Sequence, residues 1–344
     1  MPDAVTPMPL VPGLRFTALV ALIGPLCGVA GQETSPPIIR AETRRVLLRV
    51  VVREPHSRKP VTGFTESDFV LTDSGRPQPL TYFAAPNDTG HPIALALLVD
   101  LEALHARALR QLAASAGSAL KQLHPRDQIA VWRMNQKTTE EIQPPSSDHA
   151  VSLRTLQNLA EQRQQLANWG TGPVKAIQSI LDSLHEFQRD ADPTLVVLTN
   201  DIDAETIAKV EALRKGLLRA QVTMHLLDSI HGSDRFLRAV EDAVAPGGRS
   251  PTVPFLHYRF LGYLVHQTGG EFVEVHHEDY GKALEELFRD IAASYTMEFA
   301  PAAADGKFHT VEVTIRRGAR VNPLALKVFA RKGYFAEAAS PARR

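Results

Sequence analysis

The chain has 344 residues, a length that exceeds one average domain and predicts two. Hydrophobic residues make up 44% and charged residues 22%, which is typical of folded globular proteins and excludes a mostly disordered or fibrous chain. Lys plus Arg and Asp plus Glu both total 38, so the sequence lacks the basic charge that drives binding to nucleic acids or anionic membranes.

The N-terminus predicts an export signal. Arg15 precedes a short apolar run from Phe16 to Leu26, and the small residues Gly28 and Ala30 follow it. This order of basic flank, apolar core and small-residue exit is typical of a secretory signal peptide. We therefore predict a bacterial-type exported protein, periplasmic or extracellular, with a signal peptide at residues 1–30 and no membrane span after cleavage. An uncleaved N-terminal helix is the alternative.

The single cysteine lies inside this leader. Once Cys27 is removed, the mature chain has no thiol for disulfides, nucleophilic catalysis or zinc binding. Lipid attachment at Cys27 is not favoured, because Pro25 and Leu26 precede it instead of small residues. Residues 31–42 are predicted to be a polar linker, and residues 338–344 a disordered tail.

Both ends of the mature chain have the pattern of short strands. These patterns occur at residues 44–53, 68–73, 78–83, 295–299, 309–315 and 326–330. Neither terminal region has enough strands to bury a core alone. We therefore predict that residues 43–86 and 295–337 pair into one β-sandwich-like domain, with the remaining sequence inserted between them.

The inserted region, residues 90–294, predicts an α/β domain. Residues 93–99 are a continuous apolar run that ends in Asp100, as expected for a parallel strand covered by helices on both faces. Further strands are predicted at 128–134, 138–143, 194–199, 222–227 and 271–275, helices at about 109–123, 150–165, 173–188, 204–220, 255–267 and 282–293, and a surface excursion at 232–254. The alternation predicts a doubly wound, mostly parallel sheet.

Two of the predicted strands end in polar residues, at the edge where open α/β sheets bind ligands. Asp100 follows one strand, and Asn200 and Asp201 follow another. This arrangement resembles the von Willebrand factor A domain, a Rossmann-like fold. The metal-ion-dependent adhesion site of that domain combines an Asp-x-Ser-x-Ser loop, a Thr from a later loop and an Asp after the fourth strand.

Four further motifs make the resemblance more specific. They are Val61–Phe69, Asp73–Gln78, Gln267–Gly270 and Arg331–Phe335. Together, and in this order, they resemble the acidobacterial-type proteins related to the von Willebrand factor A domain, over residues 43–337. The resemblance implies a von Willebrand factor A-like α/β domain flanked by β segments from both ends of the chain.

The resemblance also implies a candidate metal site, which is degenerate. Its residues would be Asp100, Glu102, Thr171, Asn200 and Asp201. Asp100 and Thr171 match the family pattern, whereas Glu102 and Leu104 stand at the two Ser positions. Asn200 stands where the family usually has Asp, and Asp201 replaces a Gly.

Two interpretations of this site remain open. In one, Asp100, Glu102, Asp201 and Thr171 supply oxygens to a divalent cation, and the extra carboxylates favour Ca²⁺ or Mn²⁺ over Mg²⁺. In the other, these residues are solvated loop carboxylates and helix caps, and the chain binds no cofactor. We favour the second interpretation, because Leu104 cannot coordinate a metal.

The function that follows is a protein-binding or adhesion-type module. Its loops at the C-terminal edge of the sheet would contact a protein partner, and nucleic acid is not expected to bind. The alternative is a structural or assembly subunit of an envelope complex without metal-dependent binding. An enzyme is not predicted, because the sequence lacks a Gly-x-Ser-x-Gly elbow, a phosphate-binding Gly-rich loop with Lys and a His-Glu-x-x-His helix. The cluster His276–Asp279 is interpreted as a solvated turn.

Overall fold

The computed structural model describes only part of the chain. The described residues are 45–54, 59–86, 88, 90–101, 103–134, 138–162, 173–187, 191–199, 207–228, 260–275, 279–316 and 326–336. All of them belong to one unit, residues 43–344. The predicted signal peptide, linker, surface excursion and C-terminal tail lie outside the described residues. Within the described part of the chain, no helix is both long and apolar enough to cross a membrane.

Strands and helices alternate in the middle of the chain, with strands alone at both ends. The strands are β1 (Val46–Arg53), β2 (Phe69–Asp73), β3 (Arg76–Pro77), β4 (Tyr82–Ala84), β5 (Ile93–Asp100), β6 (Gln128–Met134), β7 (Thr139–Ser146), β8 (Asp192–Leu198), β9 (Thr223–Asp228), β10 (Phe272–Glu274), β11 (Tyr295–Phe299), β12 (Phe308–Ile315), β13 (Lys327–Phe329) and β14 (Gly333–Phe335). The helices are α1 (Ala106–Leu120), α2 (His149–Gln162), α3 (Pro173–Phe187), α4 (Ile207–Arg219), α5 (Phe260–Thr268) and α6 (Tyr280–Ala292).

The central sheet has the strand order β10-β9-β8-β5-β6-β7. Neighbouring strands run parallel, except that β7 is antiparallel to β6. Counted along the chain from β5, this is the 3-2-1-4-5-6 order of doubly wound folds. The α/β, doubly wound, mostly parallel sheet predicted from the sequence is therefore confirmed.

Helices cover both faces of this sheet. Alternate side chains of β5 point to opposite faces, so Leu95 and Leu97 share a core with α1, α2 and α6. Ala96 and Leu98 share a second core with α3, α4 and α5. Every residue of β5 and of β8 is buried, which explains the apolar runs at residues 93–99 in β5 and 195–198 in β8.

Strand β7 forms one edge of the central sheet. The sequence predicts an edge strand at residues 138–143, and the structure extends it to Ser146 through Pro144 and Pro145. Its pairing with β6 is irregular, with register shifts along the strand. Proline cannot donate a backbone hydrogen bond, so two prolines in a strand are compatible with an edge position.

The two ends of the chain form two antiparallel sheets, β13-β1-β11-β4 and β14-β12-β2-β3. Each sheet combines strands from both terminal regions; Val46 in β1, for example, pairs with Phe299 in β11. Alternate side chains from both sheets, such as Leu48 and Val313, meet in one core. The predicted flanking β domain, built from N- and C-terminal segments, is confirmed.

One strand prediction in this domain is wrong in detail. The sequence pattern predicts a continuous strand at residues 78–83, but the structure has only the short strands β3 and β4 there, with residues 78–81 between them. Pro79 lacks a backbone N–H and interrupts the pairing. Gln78 still donates its backbone N–H to the carbonyl of Leu71, at 3.0 Å, before the chain leaves the sheet.

Gln221 connects the α/β domain to the flanking sandwich. Strand β13 pairs with β1 at residues 51–53, and within the described residues no strand lies on that side of the first half of β1. The side-chain Oε1 of Gln221 accepts the backbone N–H of Leu47 at 2.7 Å, and its Nε2 donates to the carbonyl of Arg45 at 3.1 Å. The Gln221 amide thus makes the two hydrogen bonds that a neighbouring strand would make.

Substitution of Gln221 should therefore weaken the fold. Gln221→Ala removes one partly buried hydrogen bond to Leu47 and one exposed hydrogen bond to Arg45, and should lower the free energy of unfolding by about 1 to 2 kcal/mol, measured by urea denaturation. A matched control is Gln122→Ala, since Gln122 is exposed and makes one long bond of 3.4 Å to Ser118. The control should change stability by less than about 0.5 kcal/mol. Equal effects of the two substitutions would contradict the role of Gln221.

Candidate functional site

The candidate site lies where the central sheet changes winding direction. Strands β5 and β8 are neighbours, yet β5 continues into α1 on one face and the next helix after β8, α4, lies on the other. In doubly wound sheets this divergence leaves a crevice at the carboxyl ends of the two strands, where ligands bind. Asp100 is the last residue of β5, and Thr199 directly follows β8.

Asp100 is 1% exposed, and both of its carboxylate oxygens accept hydrogen bonds. Its Oδ2 accepts the hydroxyl of Thr199 at 2.7 Å, and its Oδ1 accepts the backbone N–H of Ala103 at 3.0 Å. The carbonyl of Asp100 also accepts the N–H of Leu104 at 3.1 Å. Asp100 therefore closes the turn after β5 and joins that turn to the end of β8.

Hydrophobic side chains anchor the loop that Asp100 begins. Leu101 is 1% exposed and Leu104 is fully buried, and both belong to the core under α1. Leu104 stands at the second Ser position of the family motif, and its side chain points into this core. The shape of this part of the loop is therefore determined by apolar packing and by the hydrogen bonds of Asp100.

Two residues of this edge were missed in the sequence. The hydroxyl of Tyr280, the first residue of α6, donates to the carbonyl of Thr199 at 3.2 Å, and Tyr280 is fully buried. Thr199 itself was assigned only to the end of a strand, and its position directly before Asn200 at the carboxyl end of that strand was the signal that it belongs to the site. For Tyr280 the available signal was Asp279, a residue typical of the position before a helix. Its Oδ1 accepts the N–H of Lys282 at 3.1 Å and caps the helix that begins at Tyr280.

A second acidic residue ends the next strand of the sheet. Asp228 is the last residue of β9, which lies beside β8, and it is 7% exposed. Its carbonyl accepts the N–H of Val275 at 2.8 Å. The carboxyl ends of β5, β8 and β9 thus present Asp100, Thr199 and Asp228 in sequence along one edge of the sheet.

Most of the predicted metal site lies outside the described residues. Glu102, Thr171, Asn200 and Asp201 all fall there, as does most of the cluster His276–Asp279, so only Asp100 of the predicted set can be placed. Among the described residues, no group of three or more His, Cys, Asp or Glu side chains could hold a metal ion.

The described part of the site fits a divalent cation only in part. At the ends of β5 and β8 it offers one carboxylate, Asp100, and one hydroxyl, Thr199, which already bind each other. Mg²⁺ requires six oxygen ligands and Ca²⁺ six to eight. Any further ligands from the protein would therefore have to come from the loops that carry Glu102, Thr171 and Asp201.

Comparison with protein-family models and with curated proteins found no match to this chain. Similar solved structures include an aerotolerance-related membrane protein from Bacteroides fragilis, at 13% identity and TM-score 0.38, covering 58% of this chain and 98% of the other. The manganese-loaded TRAP protein of Plasmodium vivax is 12% identical at TM-score 0.39, covering 80% and 100%. A von Willebrand factor type A protein from Catenulispora acidiphila is 10% identical at TM-score 0.41, covering 85% and 75%.

These similarities are too weak to indicate a function. With TM-scores near 0.4, the fold assignment rests on the strand order of the chain itself. The doubly wound order is present in the central sheet, and the relationship to von Willebrand factor A domains, including the acidobacterial-type proteins, stays a prediction.

The bond between Asp100 and Thr199 can be tested by a double-mutant cycle. Thr199→Val keeps the shape of the side chain and removes its hydroxyl, which leaves a buried carboxylate oxygen with one partner fewer. The substitution should lower the free energy of unfolding by about 1 to 3 kcal/mol in urea denaturation.

In the cycle with Asp100→Ala, the coupling energy between the two positions should be about 0.5 to 3 kcal/mol. Additive effects would show that the two side chains do not interact in solution. The cycle with Tyr280→Phe gives a comparison, because the Tyr280 hydroxyl contacts the backbone of Thr199 and not its side chain.

Proposed function

We propose that the chain is an exported protein-binding module that contacts its partner through the loops after β5 and β8. The observation that carries this proposal is the position of Asp100, buried at the point where the sheet changes winding direction and bonded to Thr199. In this fold, that position is where ligands are bound. Binding, and not catalysis, is the activity we propose for these loops.

Recognition in this proposal does not depend on the usual magnesium site. The side chain of Leu104 is packed in the core. The carboxylate of Asp100 already accepts hydrogen bonds from Ala103 and Thr199, which determine the shape of the loop. Leu101, Ala103 and Leu104 are already fixed in this way before a partner binds, which reduces the entropy cost of binding. The polar residues of the two loops, Glu102, Asn200 and Asp201, supply the charge and hydrogen-bonding groups that would select the partner.

Partner capture from an envelope extract tests the location of the binding surface. The mature full-length chain is immobilised and compared with the double variant Asn200→Ala/Asp201→Ala. If these loops carry the binding hot spot, the double variant should retain about tenfold less partner, with or without chelator. The control is Arg126→Ala, since Arg126 is exposed in the loop before β6, at the opposite edge of the sheet, and should not affect capture.

Equal capture by the wild type and the loop variant would contradict the proposed surface. That result would favour the alternative of an assembly subunit that contacts its complex through another face. If capture requires the loops and is also lost with chelator, the proposed binding surface is correct. Binding would then depend on a metal ion.

Metal binding is tested directly by calorimetry. Titration of the wild type with Mg²⁺, Ca²⁺ or Mn²⁺ should give no saturable heat, because two hydroxyl ligands of the family site are replaced and Leu104 is committed to the core. Asp100→Ala and Asn200→Ala serve as paired controls, one in each of the two loops that would hold the cation. A saturable heat in the wild type that both substitutions abolish would show that the site has been rebuilt around a cation.

A further inference from the structure

Three charged side chains are buried together where the sandwich meets the α/β domain. Arg53 ends β1, Glu271 precedes β10, and Asp290 lies in the last turn of α6. Arg53 is 5% exposed and Asp290 8%, and the Glu271 side chain is 11% exposed. Because charged groups at this depth are costly to bury, their mutual contacts determine which charge state is stable.

One guanidinium group holds both carboxyl groups. Nη1 and Nη2 of Arg53 each donate to one oxygen of Glu271, and Nη2 also donates to Oδ2 of Asp290 at 2.6 Å. The ring of Phe329 covers the guanidinium, 5.2 Å from its carbon atom. The two acids therefore share the same nitrogen of Arg53.

Two carboxyl groups thus face a single guanidinium group in a buried position. One guanidinium balances only one carboxylate, and two ionised carboxylates this close repel each other. This geometry favours a proton on one of the two acids. In agreement with this geometry, burial first and the neighbouring Glu271 second raise the pKa of Asp290 from 3.8 to about 7, against the opposing charge of Arg53.

Other charged groups also face the pair. Glu286 and Arg289, on the same helix as Asp290, add one charge of each sign. Burial lowers the pKa of His225, on β9, to about 4, so this ring is neutral at physiological pH. Its Nδ1 accepts the backbone N–H of Glu271 at 3.1 Å and so is unprotonated.

We propose that the proton on Asp290, buried beside Glu271 and Arg53, is a switch that holds the sandwich against the α/β domain. With the proton bound, the pair carries one negative charge, which Arg53 balances. With the proton lost, two carboxylates face each other across one guanidinium, and the repulsion weakens the contact between β1 and the segment of α6 and β10. This device is independent of the loops proposed to bind a partner.

The direction of the pH effect follows from the proton count. In the unfolded chain Asp290 releases its proton near pH 4, whereas in the folded chain it keeps the proton until about pH 7. The folded state thus binds more protons over this interval, and stability falls as the pH rises through it. Above about pH 7, both states are deprotonated and the loss of stability is complete.

The test compares the full chain with Asp290→Asn over pH 5 to 8.5. An Asn amide can donate to Glu271 and accept from Arg53, so the contacts are kept and the titration is removed. The ratio of the folding equilibrium constants, variant over wild type, should rise by at most about tenfold per pH unit up to pH 7 and then level off. Asp182→Asn, an exposed position on α3, should keep the pH dependence of the wild type.

A second measurement follows the proton itself and does not depend on how the variant folds. The side-chain carboxyl carbon of Asp290, followed by NMR in the wild type, should titrate with a midpoint near pH 7. In Glu271→Gln the midpoint should move to lower pH, because a like charge is removed. A wild-type midpoint below pH 5, or equal pH dependence of the wild type and Asp290→Asn, would overturn the proposal.

Discussion

The pairing of β1 with β11 is the contact on which the rest of the structure depends. Neither terminal segment has enough strands to bury a core, so the sandwich exists only when both chain ends meet. Arg45 and Glu298, which form an ion pair at this boundary, are 253 positions apart in the sequence. Closing so long a loop costs entropy, and an α/β domain that brings its own ends together lowers that cost. The inserted domain therefore acts as the scaffold on which the sandwich assembles.

Buried charges then determine how the two domains fit together. Nε of Arg49 lies 2.7 Å from Oδ2 of Asp192 at the start of β8, and Arg53 binds Glu271 and Asp290 on the other domain. Burying such groups contributes little net stability, because desolvation offsets most of the attraction between them. Removing one partner, however, leaves an uncompensated charge in the interior. These ion pairs therefore favour one relative orientation of the domains by making every other orientation costly.

The fold was predictable from the sequence, because each buried strand carries its own pattern. The apolar runs in β5 and β8 indicate strands that are buried on both faces. The apolar residues at helical spacing between these strands indicate the helices that connect them in a doubly wound sheet. The site was much less predictable. A motif comparison identified Asp100 by its position in the chain, but it could not show that Thr199 and Ala103 occupy its oxygens, since those bonds depend on three-dimensional neighbours. Likewise, nothing local marks Gln221 as a substitute for a strand, or Leu104 as a core residue.

The edge of the central sheet at β7 has a consequence for the behaviour of the protein at high concentration. An open sheet edge exposes backbone groups that can recruit a strand from another molecule, and long regular edges promote fibrous aggregation. Here Pro144 and Pro145 remove two of the donors, and the register of β7 against β6 is irregular. The eight residues that complete the sheet are therefore a poor template for a strand from a second copy of the chain.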